Sequence, residues 1–157
     1  MIDIMFGVIE PYLKGLRFRE RHFDGGRPLF HRGDPVKDVH FVLVGSVHLV
    51  RRQPDGAFLI LQRAGPGSIL AEASLYSETY HCDAVAFSST DTQTYAKVSL
   101  RRLLAINPEF SNVWAGYLAH ELQGARLRSE ILSLRTVADR LDAWTARNGG
   151  KIPKKGE

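Results

Sequence analysis

The sequence has one cysteine, Cys82, among 157 residues. No disulfide can form within the chain, and a reducing compartment is expected. Long apolar runs are missing too: none approaches the roughly 18 apolar residues that a membrane helix requires. The N-terminal stretch has no basic segment ahead of its apolar residues, and Asp3 and Glu10 interrupt them, unlike a secretory leader. Together these absences predict a soluble, cytoplasmic protein with no membrane partner. Catalytic signatures are absent as well. There is no Gly-x-Ser-x-Gly elbow, phosphate-binding loop, dinucleotide glycine motif or metallohydrolase pair. Gly65-Pro-Gly67 reads as a turn, because it has no lysine and no strand-to-helix setting. No enzymatic activity is expected, and no catalytic or metal-ligating set is assigned.

What is present is the composition of a globular domain, with 44% hydrophobic and 24% charged residues. The net charge of +4 permits contact with nucleic acid without requiring it. Much of the excess lies between Arg101 and Lys155, where a solvated helix face accounts for most of it.

Ile2, Phe6, Ile9 and Leu13 recur at helical spacing and predict a short amphipathic N-terminal helix. From Leu16 to Val98 the texture is that of strands. β-rich stretches at residues 16–23, 28–31, 40–44, 46–50, 57–62, 82–88 and 92–98 are separated by glycine, proline and aspartate turns. No long helix interrupts them, so an antiparallel sandwich or barrel is expected. Ser99 is a good N-cap for a short helix ending at Ile106. Asn107-Pro108 then supplies a cap and a first-turn proline for a long helix reaching about Leu134. Along it, Leu118, Leu122, Ala125, Ser129 and Leu132 step by four, three, four and three. That is a heptad seam, and it predicts pairing with a second copy of the chain, the small Ala125 and Ser129 permitting close approach. A third helical stretch, residues 136–147, carries Val137, Leu141 and Trp144 on one face and stops at Asn148-Gly-Gly150. With only a short basic tail to follow, that apolar face predicts a fragment of a larger unit.

The order of elements resembles a known family. Phe30-His-Arg-Gly-Asp34, followed by Phe41-Val-Leu-Val-Gly-Ser-Val-His-Leu49, is similar to the glycine signatures of cyclic-nucleotide-binding barrels. Gly33 and Gly45 supply backbone conformations that side chains forbid. The segment from Gly65 to Glu72 stands in the place of the family's Gly-Asp-x-x-Gly-Glu. Asn107-Pro108 and Thr136-Val-Ala-Asp-Arg-Leu141 resemble the helix starts of Crp/Fnr transcription regulators. The resemblance covers roughly residues 16 to 147. It implies an antiparallel double-stranded β-helix, or jelly-roll barrel, over residues 1–106. A dimerisation helix over 107–134 and the start of a winged helix-turn-helix domain over 135–157 would follow. It implies a homodimer that senses a small-molecule effector and reads promoter DNA through a C-terminal domain largely absent from this sequence.

The resemblance also implies a ligand cassette: Ala71, Glu72, Ala73, Tyr80, His81, Cys82, Asp83 and Ala84. In the family a glycine approaches a cyclic-nucleotide phosphate, a glutamate takes the ribose hydroxyl, and an arginine followed by serine or threonine pairs with the phosphate. Here Glu72 and Ala84 match. The glycine is Ala71, and the arginine and its neighbour are Cys82 and Asp83. A buried phosphodiester without its cation costs several kcal/mol, and Asp83 adds a like charge. Ordinary cAMP binding is therefore not expected unless a protonated His81 replaces the charge. Other readings stay open. Cys82 could be a redox thiol whose pKa His81 lowers, or ligate a metal with His31, His40 or His48. Strand alternation opposes both, because it places Cys82 on the face away from His81 and Asp83. Tyr76 and Tyr80 could stack on an aromatic effector or pack in the core. A ligand-free dimerisation module, its cavity filled by Leu70, Tyr76 and Cys82, is the alternative function.

Overall fold

Eight strands organise the N-terminal two-thirds of the chain. The computed structural model describes residues 2–150, and side chains from residue 7 onward. The basic tail after Gly150 lies outside the described residues. Helix α1 (Ile2–Leu13) precedes β1 (Phe18–Phe23), β2 (Pro28–Phe30), β3 (Asp38–Val44), β4 (Val47–Arg52), β5 (Phe58–Ala64) and β6 (Ile69–Leu70). A 3-10 turn at Glu72–Ser74 separates β6 from β7 (Asp83–Ala86) and β8 (Thr90–Ala96). Helices α2 (Lys97–Ile106), α3 (Pro108–Ser133) and α4 (Val137–Arg147) follow.

The strands form two four-stranded sheets, ordered β1-β8-β3-β6 and β2-β7-β4-β5, and every pairing is antiparallel. This is the antiparallel arrangement that the strand spacing predicts and the jelly roll that the family resemblance implies. Its core includes Phe23, Phe30, Val42, Val47, Leu49 and Leu70. Between β3 and β4 the chain passes from one sheet to the other through Gly45, at φ +88°. A Cβ there would lie 2.2 Å from the Ser89 carbonyl oxygen, so this corner requires glycine.

Inside, β8 turns Thr90, Thr92 and Thr94 toward the core, alternating with more exposed residues. Buried hydroxyls need partners. Thr90 donates to the carbonyls of Ser46 and Ser88, Thr92 bonds Thr94, and Thr94 bonds the ring of the buried His40 at 2.9 Å.

The α2 start corrects the expected Ser99 cap. The helix begins at Lys97 with Ala96 as its N-cap, because the Lys97 N–H donates to the Lys37 carbonyl at 2.8 Å. An orphan first-turn donor is thereby satisfied by the segment before β3, and no side-chain cap is needed. The Asn107 cap is as expected, and Thr136 adds a cap to α4. Asn107 Oδ1 accepts from the Phe110 N–H, and Thr136 Oγ1 accepts from the Asp139 N–H. Within α1 and the first turns of α3, Tyr12 stacks on Phe110 and donates to Glu109.

The chain divides into two compact units, one ending at Ala115 and the other beginning at Gly116. The second comprises the remainder of α3 and α4. Of the seam residues in it, Leu118 is half-buried and Leu122, Ala125, Ser129 and Leu132 are exposed. Leu132 is 71% exposed. On α4, Val137 and Leu141 are exposed and Trp144 is half-buried.

Candidate functional site

Residues 71–84 connect β6 to β7 and are pinned at both ends. Ala71 holds a left-handed backbone (φ +73°, ψ +12°). Among the described residues it is the one non-glycine at positive φ. A left-handed alanine costs about 1–2 kcal/mol, so the loop keeps the glycine-type turn without the glycine. Glu72 and Ser74 are buried in the 3-10 turn that follows, and Ala73 is exposed.

The far end is tied to the turn after β2. The Gly33 N–H donates to the Tyr80 carbonyl, the Tyr80 N–H to the Asp34 carbonyl, and the Val36 N–H to the Glu78 carbonyl. Tyr80 belongs to the core: its ring stacks on Phe30 at 3.9 Å and its hydroxyl donates to the Asp38 carbonyl. Tyr76 does not. It is 64% exposed, with the Arg101 guanidinium 4.8 Å from its ring centroid. Lys97 Nζ also donates to the Ser77 carbonyl, so two α2 side chains hold this stretch.

His81 and Cys82 lie in the bend before β7 rather than in the strand expected from residue 82, yet the three side chains separate: His81 is exposed, Cys82 buried and Asp83 half-buried. His81 is exposed; its Nδ1 lies 3.1 Å from Ser74 Oγ, closing the loop's two arms. Partial burial and the nearby Arg51 cation lower its pKa, so His81 does not supply the positive charge considered for it. Cys82 is buried and belongs to the core cluster. Burial first, then the Glu72 carboxylate, pushes its thiol up to about 11. This corrects the redox expectation, which needed a lowered value. Ala84 is fully buried and pairs with Leu49 of β4.

Asp83 corrects a second expectation. Its carboxylate accepts the Arg32 N–H at 2.6 Å and lies 3.7 Å from His31 Nδ1. The side chain is thus engaged by the turn after β2. Neither remaining histidine joins Cys82: His40 bonds Thr94 and stacks near Phe30, and His48 stacks on Phe87 at 4.4 Å. Among the described residues, no group of three histidine, cysteine, aspartate or glutamate side chains could hold a metal ion.

One residue at this loop escaped the sequence reading. Arg51, on β4, donates from Nη2 to the His81 carbonyl at 2.9 Å. The register supplies the signal: Val50 opposes Asp83, which sets the next β4 residue beside positions 81 and 82. That register is visible only once β4 and β7 are known to pair.

Residues 20–107 match the model of the cyclic nucleotide-binding domain. The chain is 29% identical over 125 residues to the cyclic AMP receptor protein of Thermus thermophilus, covering 79% of this chain and 58% of the relative. It is 30% identical over 129 residues to the cAMP-activated global transcriptional regulator CRP of Haemophilus influenzae, covering 80% and 57%. The chain thus spans under two-thirds of the length of these curated relatives. Its fold is similar to that of FixK2 from Bradyrhizobium japonicum, with a TM-score of 0.76 at 20% identity over 84% of this chain and 66% of that one.

Proposed function

We propose, from the fact that this chain belongs to the cyclic nucleotide-binding domain family, that it is the effector-sensing and dimerisation region of a Crp/Fnr-type transcription regulator. On this reading the barrel, residues 1–106, takes a small effector at residues 71–84. Residues 107–134 pair two protomers, and residues 135–157 begin a DNA-binding domain. Binding would favour one of two arrangements of the paired helices by a few kcal/mol, and promoter DNA would read the result.

The carrying observation is the seam on α3. Leu122 and Leu132 are exposed at 51% and 71% at heptad spacing on a 26-residue helix. Apolar residues so spaced are buried by a parallel partner in a coiled coil. The named relatives, a cyclic AMP receptor protein and a transcriptional regulator, support a regulatory rather than an enzymatic role. A small molecule is favoured over a redox signal, because the raised pKa of Cys82 leaves little reactive thiolate near neutrality.

Sedimentation equilibrium tests the pairing. The wild-type chain should sediment as a dimer, and the double variant Leu122→Glu/Leu132→Glu as a monomer with an unchanged far-ultraviolet spectrum. A wild-type monomer at millimolar concentration would remove the dimerisation reading.

A second reading, a ligand-free scaffold, draws on the barrel interior. Phe30, Tyr80, Leu70 and Cys82 fill it in one cluster, although the exposed Tyr76 takes no part. Crystals grown with cAMP would distinguish the two, because a scaffold keeps these side chains in place and binds nothing.

A further inference from the structure

The loop lacks the arginine at position 82 that its family's cassette uses, yet it is not without a guanidinium. Arg51 reaches it from the adjacent strand, donating to the His81 carbonyl at 2.9 Å, one peptide from the substituted position. That bond occupies one of five guanidinium donors, and its acceptor is a neutral carbonyl. Of the two acids near Cys82, Asp83 accepts the Arg32 N–H at 2.6 Å and Glu72 is buried in the 3-10 turn.

We propose that Arg51 is the cationic ligand-binding residue of this site, replacing the cassette arginine from a different strand and selecting effectors that carry a phosphodiester. The inference rests on the reading of residues 71–84 as the effector loop. It reverses the expectation, drawn from Cys82 alone, that the loop cannot hold such a group.

Two further observations favour it. Ala71 keeps a left-handed backbone at φ +73°, a conformation that side chains disfavour and that persists where the surrounding structure enforces it. The turn that brings the loop's main chain toward a ligand is thus retained although the glycine is lost. The second concerns charge. Burial and Arg51 lower the His81 pKa and so disfavour its cationic form, whereas a guanidinium offers a planar fork to phosphate oxygens.

The experiment is a calorimetric titration of the full chain with cAMP, using the wild type, Arg51→Gln, Arg51→Lys, Cys82→Arg and the double variant Arg51→Gln/Cys82→Arg. Adenosine, which lacks the phosphodiester, serves as the uncharged comparison. Arg51 is exposed on β4, and thermal unfolding of each variant checks that the fold is intact. The wild type should bind cAMP, and Arg51→Gln should weaken it on the order of 10- to 100-fold, the range for a charge-assisted contact. Arg51→Lys should fall between them, the double variant should recover, and adenosine binding should be indifferent to residue 51. Wild type and Arg51→Gln binding cAMP equally would overturn the proposal while leaving the effector loop in place. So would binding by Cys82→Arg but not by the wild type, because the loop would then be competent and Arg51 no substitute. Binding by none of them would overturn both the proposal and a cyclic-nucleotide effector.

Discussion

Replacing Gly45 by alanine should destabilise the barrel far more than the same change at Gly33, although both glycines sit at φ +88°. The backbone term is common to both. A left-handed alanine costs about 1–2 kcal/mol, partly offset by about 0.5–1 kcal/mol from the stiffer unfolded chain. At Gly33 nothing lies within 4 Å of the new Cβ, so the net loss should be about 1 kcal/mol. At Gly45 the methyl group would lie 2.2 Å from the Ser89 carbonyl oxygen, 2.6 Å from Thr90 Oγ1 and 2.8 Å from Thr90 Cα. Two of these are main-chain atoms at the start of β8, so no rotamer change relieves the clash. Forced displacement of packed atoms adds about 1–3 kcal/mol, for a total near 3 kcal/mol. Urea unfolding of both variants, followed by circular dichroism, measures the two losses. Equal losses at the two sites would refute the reasoning, because they would show that the corner tolerates a side chain. Failure of Gly45→Ala to fold beside a folded Gly33→Ala would be the same ordering in its extreme form.

Two further predictions concern titratable groups in the core. His40 is buried and its pKa is lowered to about 4, mainly by desolvation. It is therefore neutral in the fold, while the unfolded chain takes up a proton below its ordinary value near 6.5. The associated stability is complete above that value and falls as pH drops from about 6.5 toward 4, by about 3 kcal/mol in all. Proton NMR of the His40 ring should show no titration until about pH 4, and a midpoint near 6.5 would contradict the burial argument. For Cys82, whose pKa is raised to about 11, alkylation by iodoacetamide at neutral pH should be slow in the native protein and fast in denaturant. Rapid native labelling would return the thiol to consideration as a sensor.

The barrel was legible because its signals are local. Short strands set off by Gly, Pro and Asp turns need no tertiary information, and neither does the Asn107 cap. What remained hidden depends on contacts between distant segments. The two-residue strand β6 and the 3-10 turn at Glu72–Ser74 are too short to carry a period. The start of α2 moved from Ser99 to Lys97 because a carbonyl from residue 37 satisfies its first donor, and no pattern within the helix encodes that. At the candidate site, alternation presupposes a strand through residues 81–83, whereas β7 begins only at Asp83 and the bend before it separates His81 from Cys82. Alternation said nothing of the strand alongside, so Asp83 counted as a loose negative charge and Arg51 went unnoticed. Adjacent strands share charge across their register, and single-strand reasoning has no access to it.

The fastening of residues 75–77 to α2 has a mechanical consequence. Arg101 covers the Tyr76 ring and Lys97 holds the Ser77 carbonyl, two attachments one helical turn apart on the same rod. With two contacts rather than one, a displacement of this part of the loop strains both side chains together or carries α2 with it. Small displacements of the loop are taken up by the long Lys97 and Arg101 side chains, and larger ones are passed on to α2.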